Sequence, residues 1–257
     1  MTLRRLVTGL MALTLIALLA GPVAGTSPAT AKEARYRAFG RIIGHSADDR
    51  PIKAWFRGDP KARRVLLVIG QMHGNEKAGI DTVAYIRKHL RPRRGTAVWL
   101  IASINPDGRA KNTRRNAHGV DLNRNWPTSG WSGAGRGSLT YGGPRKASEP
   151  ETRAMMRFLR KVKPDYIASL HQPFGTIGRT GKDKAWEARL KRLLGMPLRH
   201  LGVGTPSGKT SPTLTGWYNR YLGKHGTATT IELSGSPSKQ FRTRKAARAI
   251  MRAAKVL

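Results

Sequence analysis

The 257-residue chain has no cysteine, and only 14 acidic residues stand against 48 Lys and Arg. Without cysteine, neither disulfides nor a lipid-modified thiol can be invoked, so stability must come from core burial and from any bound metal. The scarcity of acid gives a formal net charge of +34, a balance that implies a polyanionic surrounding such as nucleic acid or an anionic cell envelope. The charge is spread along the whole chain and no RNA- or DNA-reading motif accompanies it, so an anionic envelope polymer is the expected partner and a specific nucleic acid is not. Long apolar runs are also missing, with one exception at 6–20. No internal repeat and no second domain can be recognised.

That exception reads as an export signal. Arg4 and Arg5 precede the apolar run, and 21–31 are small residues, Pro and Thr ending in Ala29-Thr30-Ala31, the A-x-A pattern of a cleavage site. The run falls short of the roughly 20 residues that span a bilayer. The expectation is therefore a signal peptide over 1–31, a mature chain over 32–257 with no transmembrane anchor, and a secreted or wall-associated location. Without the two Arg of the signal, the formal charge is still +32. The mature length suits one large α/β domain.

Apolar runs and helical spacings alternate along that domain. Segments 36–45 and 51–57 read as an antiparallel hairpin joined by SADDR. The run at 65–70 is a strand buried on both faces, followed by a helix over 79–90, a strand over 97–104 and an NPDG turn at 105–108. The stretch 109–143 has little periodicity, as functional or disordered loops do. SEPE at 148–151 predicts a capping box with Ser148 at the N-cap of a helix running to about Val162. A strand follows over 165–170, then amphipathic helices over 182–194 and 214–222, a strand over 228–233 and a closing helix over 238–256. This order predicts an α/β fold on a largely parallel sheet.

Ligand sites in such sheets lie beyond the carboxyl ends of strands. Among seven His, His73 and His171 stand at or just past the end of a buried run, and Glu76 follows His73 by three positions. Two imidazoles and one carboxylate leave one position open, the pattern of a catalytic zinc site. Read singly, His73 and Glu76 are equally a solvated loop His and a helix-start Glu. Glu232 sits inside an apolar run, a costly place for a carboxylate unless it faces a site or pairs with an Arg. In the long loop, Val120-Asp121-Leu122 pins a segment presenting Asn123 and Arg124, a pair suited to gripping a carboxylate bidentately. Arg114, Arg115, Asn123 and Arg124 would each pass as solvated loop residues; their order as a set raises them.

HGNE at 73–76, NPDG at 105–108, RRN at 114–116, GVDLNRNW at 119–126, SEPET at 148–152, SLH at 169–171 and TIEL at 230–233 together resemble the zinc carboxypeptidases of the carboxypeptidase A type, in that family's order and spacing. The resemblance implies a three-layer α/β/α sandwich with a mixed, mostly parallel sheet, and one Zn2+ per chain bound by His73, Glu76 and His171. It implies Glu232 as general base and later proton donor. Arg114 becomes the oxyanion-stabilising Arg, with Arg115 as the fallback because two adjacent Arg leave the register open by one. Asn123 and Arg124 become the pair that holds the substrate's terminal carboxylate. Digestive relatives carry a Tyr about nine residues before a Trp, but counting back from Trp217 gives Gly208, so no Tyr carries over.

Within the family the chain looks most like bacterial murein peptide amidases, which cut the bond between γ-D-glutamate and meso-diaminopimelate. Such amidases are commonly cytoplasmic, whereas this chain carries an export signal, so its expected substrate is wall peptide or muropeptide outside the cell. Three other readings stay open: a general secreted metallocarboxypeptidase on ordinary peptides, a small-molecule deacylase of the aspartoacylase type, and a non-catalytic basic envelope-binding protein.

Overall fold

Unbroken runs of Val, Leu and Ile build the centre of one eight-stranded sheet. The computed structural model describes residues 36–133, 135–201 and 207–257, so the expected export signal lies outside the described residues. The strands are β1 Arg37–His45, β2 Pro51–Gly58, β3 Arg64–Ile69, β4 Thr96–Ile101, β5 Tyr166–His171, β6 Phe174–Gly178, β7 Leu198–Arg199 and β8 Thr227–Ser234, in the spatial order β1-β2-β4-β3-β5-β8-β6-β7. The four central strands β4, β3, β5 and β8 are parallel; β1 and β2 on one side and β6 on the other pair antiparallel. The sheet is therefore mixed and mostly parallel.

Burial on both faces follows from the strand period of two. In β3, Leu66 and Val68 join a core beneath α1 Ala78–His89, α4 Lys184–Leu194 and α6 Ala246–Ala253. Leu67 and Ile69 face the opposite core, covered by α3 Pro150–Val162 and α5 Leu214–Tyr221. Every one of these four side chains is fully buried, which is why no alternation of polar and apolar residues marks the strand. Among the described residues no helix is long and apolar enough to cross a membrane.

Several local expectations give way to tertiary contacts. NPDG is the start of a short helix, α2 Pro106–Lys111, in which the Asn105 side chain accepts from the Gly108 N–H at 2.9 Å. The strand expected over 97–104 ends at Ile101. Ser148 does not cap α3. Its hydroxyl donates to Glu149 at 2.6 Å and accepts from Asn125 at 2.9 Å, while the Glu151 carboxylate accepts from the Ala47 N–H at 3.1 Å. The closing helix carries a wider turn over Phe241–Lys245 before α6 begins. Strands β6 and β7 were not expected at all.

Two glycines bring the site's loops together. A Cβ on Gly74 would lie 1.9 Å from the Gly108 carbonyl carbon, so the HGNE and NPDG segments touch through bare backbone. That contact sets the long loop against the carboxyl end of β3.

Candidate active site

The carboxyl ends of three parallel strands converge on one cleft of about 790 Å³. His73 and Glu76 follow β3, His171 ends β5, and Glu232 lies on β8 directly opposite His171 in the ladder. The sheet register alone therefore brings the β5 imidazole beside the β8 carboxylate.

His73 and His171 are each 3% exposed and Glu76 8%. Nδ1 of His73 lies 2.8 Å from one Glu76 oxygen, and Nδ1 of His171 lies 3.0 Å from the other. The two Nδ1 atoms are 3.3 Å apart. Each ring's other nitrogen is occupied: Nε2 of His73 donates to Asp121 at 3.0 Å, and Nε2 of His171 lies 3.2 Å from the Ser169 hydroxyl. A carboxylate accepting at Nε2 fixes the tautomer that turns Nδ1 inward, the usual arrangement behind a metal-ligating His. Two inward imidazole nitrogens and a carboxylate, mutually within 4.8 Å, form a donor set that fits a zinc ion with one side left to the cleft.

Electrostatics in this cluster are tightly coupled. Burial alone would lower the pKa of His73, but its bonds to Asp121 and Glu76 outweigh that and raise it. Burial alone would raise the Glu76 and Asp121 carboxyls; the imidazole bonds hold both well below the usual range, helped at Asp121 by the Arg114 and Arg124 charges. Glu232 differs. Burial, opposed by His171 and reinforced by Glu76, holds its carboxyl above the ordinary value. One oxygen of Glu232 is buried without a hydrogen-bond partner among the described residues. A buried unpartnered carboxylate oxygen is costly, and the residue that carries it lines the cleft.

The long loop supplies the opposite wall. Arg114 donates to Glu76 at 3.2 Å and to Asp121 at 2.8 Å and lines the cleft. Arg115 does not line it. Its guanidinium is exposed and donates to the Gly137 and Ser138 carbonyls at 2.8 and 3.2 Å. Of the two adjacent Arg, Arg114 lines the cleft and Arg115 does not among the described residues.

Asn123 and Arg124 form a short turn, Leu122–Arg124, capped by the Asp121 side chain. The Asn123 side-chain oxygen accepts from the Leu214 N–H at 3.1 Å, so the amide is anchored to the start of α5. Arg124 donates to the Asn123 carbonyl at 2.9 Å, while its Nε is buried without a partner among the described residues. Desolvation lowers its pKa, against the pull of Asp121. An under-partnered guanidinium beside an anchored amide on a cleft wall is a ready carboxylate site.

Asp121 was treated in the sequence only as part of an apolar pin, yet it is fully buried and bonds both His73 and Arg114. Its signal was the one that singled out Glu232: an acid between apolar residues in an acid-poor chain. Gln172 was missed too. Its amide accepts from the Ala78 N–H at 2.9 Å and donates to the Ser234 and Gly235 carbonyls, tying the start of α1 to the exit of β8. Tyr218 is buried in the core and Tyr221 is half exposed, both on α5, and neither lines the cleft.

The model of the zinc carboxypeptidase family matches residues 31–174. Murein peptide amidase A of Escherichia coli (strain K12) is 31% identical over 136 residues, covering 48% of this chain and 55% of that protein. The carboxypeptidase N catalytic chain of Rattus norvegicus is 28% identical over 185 residues, covering 59% and 39%. The chain thus spans about half the length of these relatives, or less. Among solved structures, a murein-tripeptide amidase from Escherichia coli O157 superposes with a TM-score of 0.66 at 22% identity, covering 86% of this chain and 93% of that one. A carboxypeptidase A from Helicoverpa armigera gives 0.67 at 16% identity, covering 85% and 68%. These structures share the fold. With the metal ligands expected from its motifs all inside the matched segment, the chain belongs to the zinc carboxypeptidase family.

Proposed function

We propose that this chain is an exported zinc-dependent hydrolase that cuts the peptide or amide bond next to a C-terminal residue, and that its substrate is a peptidoglycan peptide with the γ-D-glutamyl–meso-diaminopimelate bond as target. The observation that carries the reading is Glu232: a buried carboxylate, one oxygen without a partner, set across from His171 by the strand register and facing the same cleft as Arg114 and Arg124.

His73, Glu76 and His171 would hold the metal. When bound, zinc supplies Lewis acidity that polarises a carbonyl and acidifies water. Asn123 and Arg124 grip the substrate's free carboxylate, which fixes the scissile bond one residue inward. Glu232 takes a proton from the attacking water and returns it to the leaving amine. Arg114 stands where charge develops on the carbonyl oxygen, and Asp121 keeps that guanidinium in place.

Export is proposed from the sequence over 1–31, with 32–257 as the catalytic domain. An anionic wall polymer is proposed as partner, supported by the closing helix: Arg244 and Lys245 of its wide turn and Arg248 and Arg252 of α6 line a groove that no acidic residue shares among the described residues. The relatives named murein peptide amidase favour a wall peptide, and the carboxypeptidase relatives keep ordinary peptides as the second reading. Mass spectrometry of purified protein incubated with muropeptides and L-peptides, with and without a zinc chelator, separates the two. Release of diaminopimelate that stops on chelation is the expected result. Release of C-terminal residues from L-peptides alone would favour the second reading, and binding to wall with no hydrolysis would leave only a binding protein.

A further inference from the structure

Beyond Asn123 and Arg124 the cleft continues into a recess whose chemistry says what it accepts. One wall is the end of β6 and the turn after it, Gly178-Arg179-Thr180, running beside Thr230 of β8. The other is the approach to α5, with the hydroxyls of Ser211, Thr213 and Thr215. Glu76 and Glu232 are the only acidic residues that line the whole cleft among the described residues, and both belong to the catalytic end. Among the described residues the one charge on the recess is Arg179.

Arg179 is held by its backbone and left free at its head. Its N–H donates to the Arg199 carbonyl at 2.8 Å. The next turn is pinned by the buried Glu187 carboxylate, which accepts from the Thr180 N–H and hydroxyl and the Gly181 N–H at 2.7–2.9 Å. The guanidinium has no hydrogen bond or ion pair among the described residues. Glu187, the α4 acid that pins that turn, is already spent on backbone and hydroxyl donors, and Asp183 accepts from the Trp186 N–H at the start of α4. Ser211 adds a buried hydroxyl with no partner among the described residues. A recess for a basic side chain would need an acid, and none lines it among the described residues.

We infer that Arg179 is a specificity-determining residue: it binds a second carboxylate, at the far end of the leaving residue's side chain, so that the substrate class is peptides ending in an amino acid with an acidic side-chain terminus such as diaminopimelate. This rests on the proposal that Asn123 and Arg124 hold the first carboxylate. An Arg fork recognises a carboxylate bidentately, and although Arg179 is exposed to water when empty, a residue lacking the carboxylate forfeits that charge-assisted contact.

Lysine is diaminopimelate without the distal carboxylate, so the pair isolates this contact. Titration calorimetry of the zinc-loaded protein with free meso-diaminopimelate and free L-lysine is expected to show tighter binding of diaminopimelate by about tenfold or more, the scale of one good charge-assisted contact. Arg179→Gln should bring that ratio toward one, Arg179→Lys should restore part of it, and thermal melting should be unchanged in both. Equal or tighter binding of lysine, binding of neither amino acid, or a ratio that survives Arg179→Gln overturns the inference. If the ratio behaves as expected but γ-D-glutamyl peptides of both amino acids resist cleavage, the hydrolase reading fails and the role of Arg179 stands.

Discussion

The two walls of the cleft are held by different physics. His171 and Glu232 are carried on adjacent buried parallel strands, where the hydrogen-bond register sets one directly against the other, and His73 follows shortly after the end of β3. Arg114, Asp121, Asn123 and Arg124 ride on a loop with almost no regular structure, fixed by buried polar side chains. Asn116 is central to that loop: its amide donates to Glu149 at 2.8 Å and Glu151 at 3.3 Å, and its oxygen accepts from the Val120 N–H at 3.0 Å. His171 and Glu232 should therefore fail only when they are themselves removed, whereas the loop-borne wall, and His73 which leans on its Asp121, should also fail when hidden carboxylates are disturbed.

The largest effect is expected from His171→Ala, which takes one of three ligands from a rigid strand end. Zinc content measured by atomic absorption should fall from one per chain toward none, with hydrolysis lost in parallel. On the loop wall, Arg114→Gln should lower turnover by about 10²–10³-fold, the cost of one oxyanion donor, while Arg115→Gln should stay near wild type. Comparable losses in both would mean that the loop does not hold its two guanidinia apart. Asp121→Asn keeps the shape but weakens the acceptor behind His73. It should reduce zinc affinity by about 10–100-fold in a chelator competition.

The smallest effect is one of stability, and it tests the loop's anchor. Burial pushes the Glu151 carboxyl up to about 7, with the neighbouring Glu149 charge adding to it and hydrogen bonds from Ala47 and Asn116 opposing. The folded state therefore favours the protonated acid. Stability is greatest below the unfolded value near 4.5 and is lost as pH rises toward 7. The loss is at most about 3 kcal/mol. In Glu151→Gln the denaturation midpoint should fall less between pH 5 and 8 than in wild type; an unchanged slope would show that the buried pair is not ionising.

The same division decides how much could be read from sequence. The central strands were legible because residues buried on both faces are apolar throughout, and polar residues at their ends stand out: hence His73, His171 and Glu232. Strands β6 and β7 were not, since Phe174–Gly178 holds two Gly in five residues and Leu198–Arg199 is only two residues long. Those short strands carry the recess, so substrate selection was the part least visible. On the loop wall, Asn123 and Arg124 were found through motif order, but no periodicity could say that Arg114 and Arg115 point apart. Ser148 and Glu151 have the spacing of a helix cap and are instead claimed by Asn125, Glu149, Asn116 and Ala47, partners that only the folded chain brings near.

The central claim is that metal holding and proton transfer are divided, with His73, Glu76 and His171 doing the first and Glu232 the second. Glu232→Gln tests it most directly, in one sample assayed for zinc content and for turnover of a γ-D-glutamyl–diaminopimelate peptide. The account predicts a full zinc complement with turnover reduced by about 10²–10⁴-fold, the usual worth of a general base. Zinc-replete Glu232→Gln protein that retains most of its activity would contradict it.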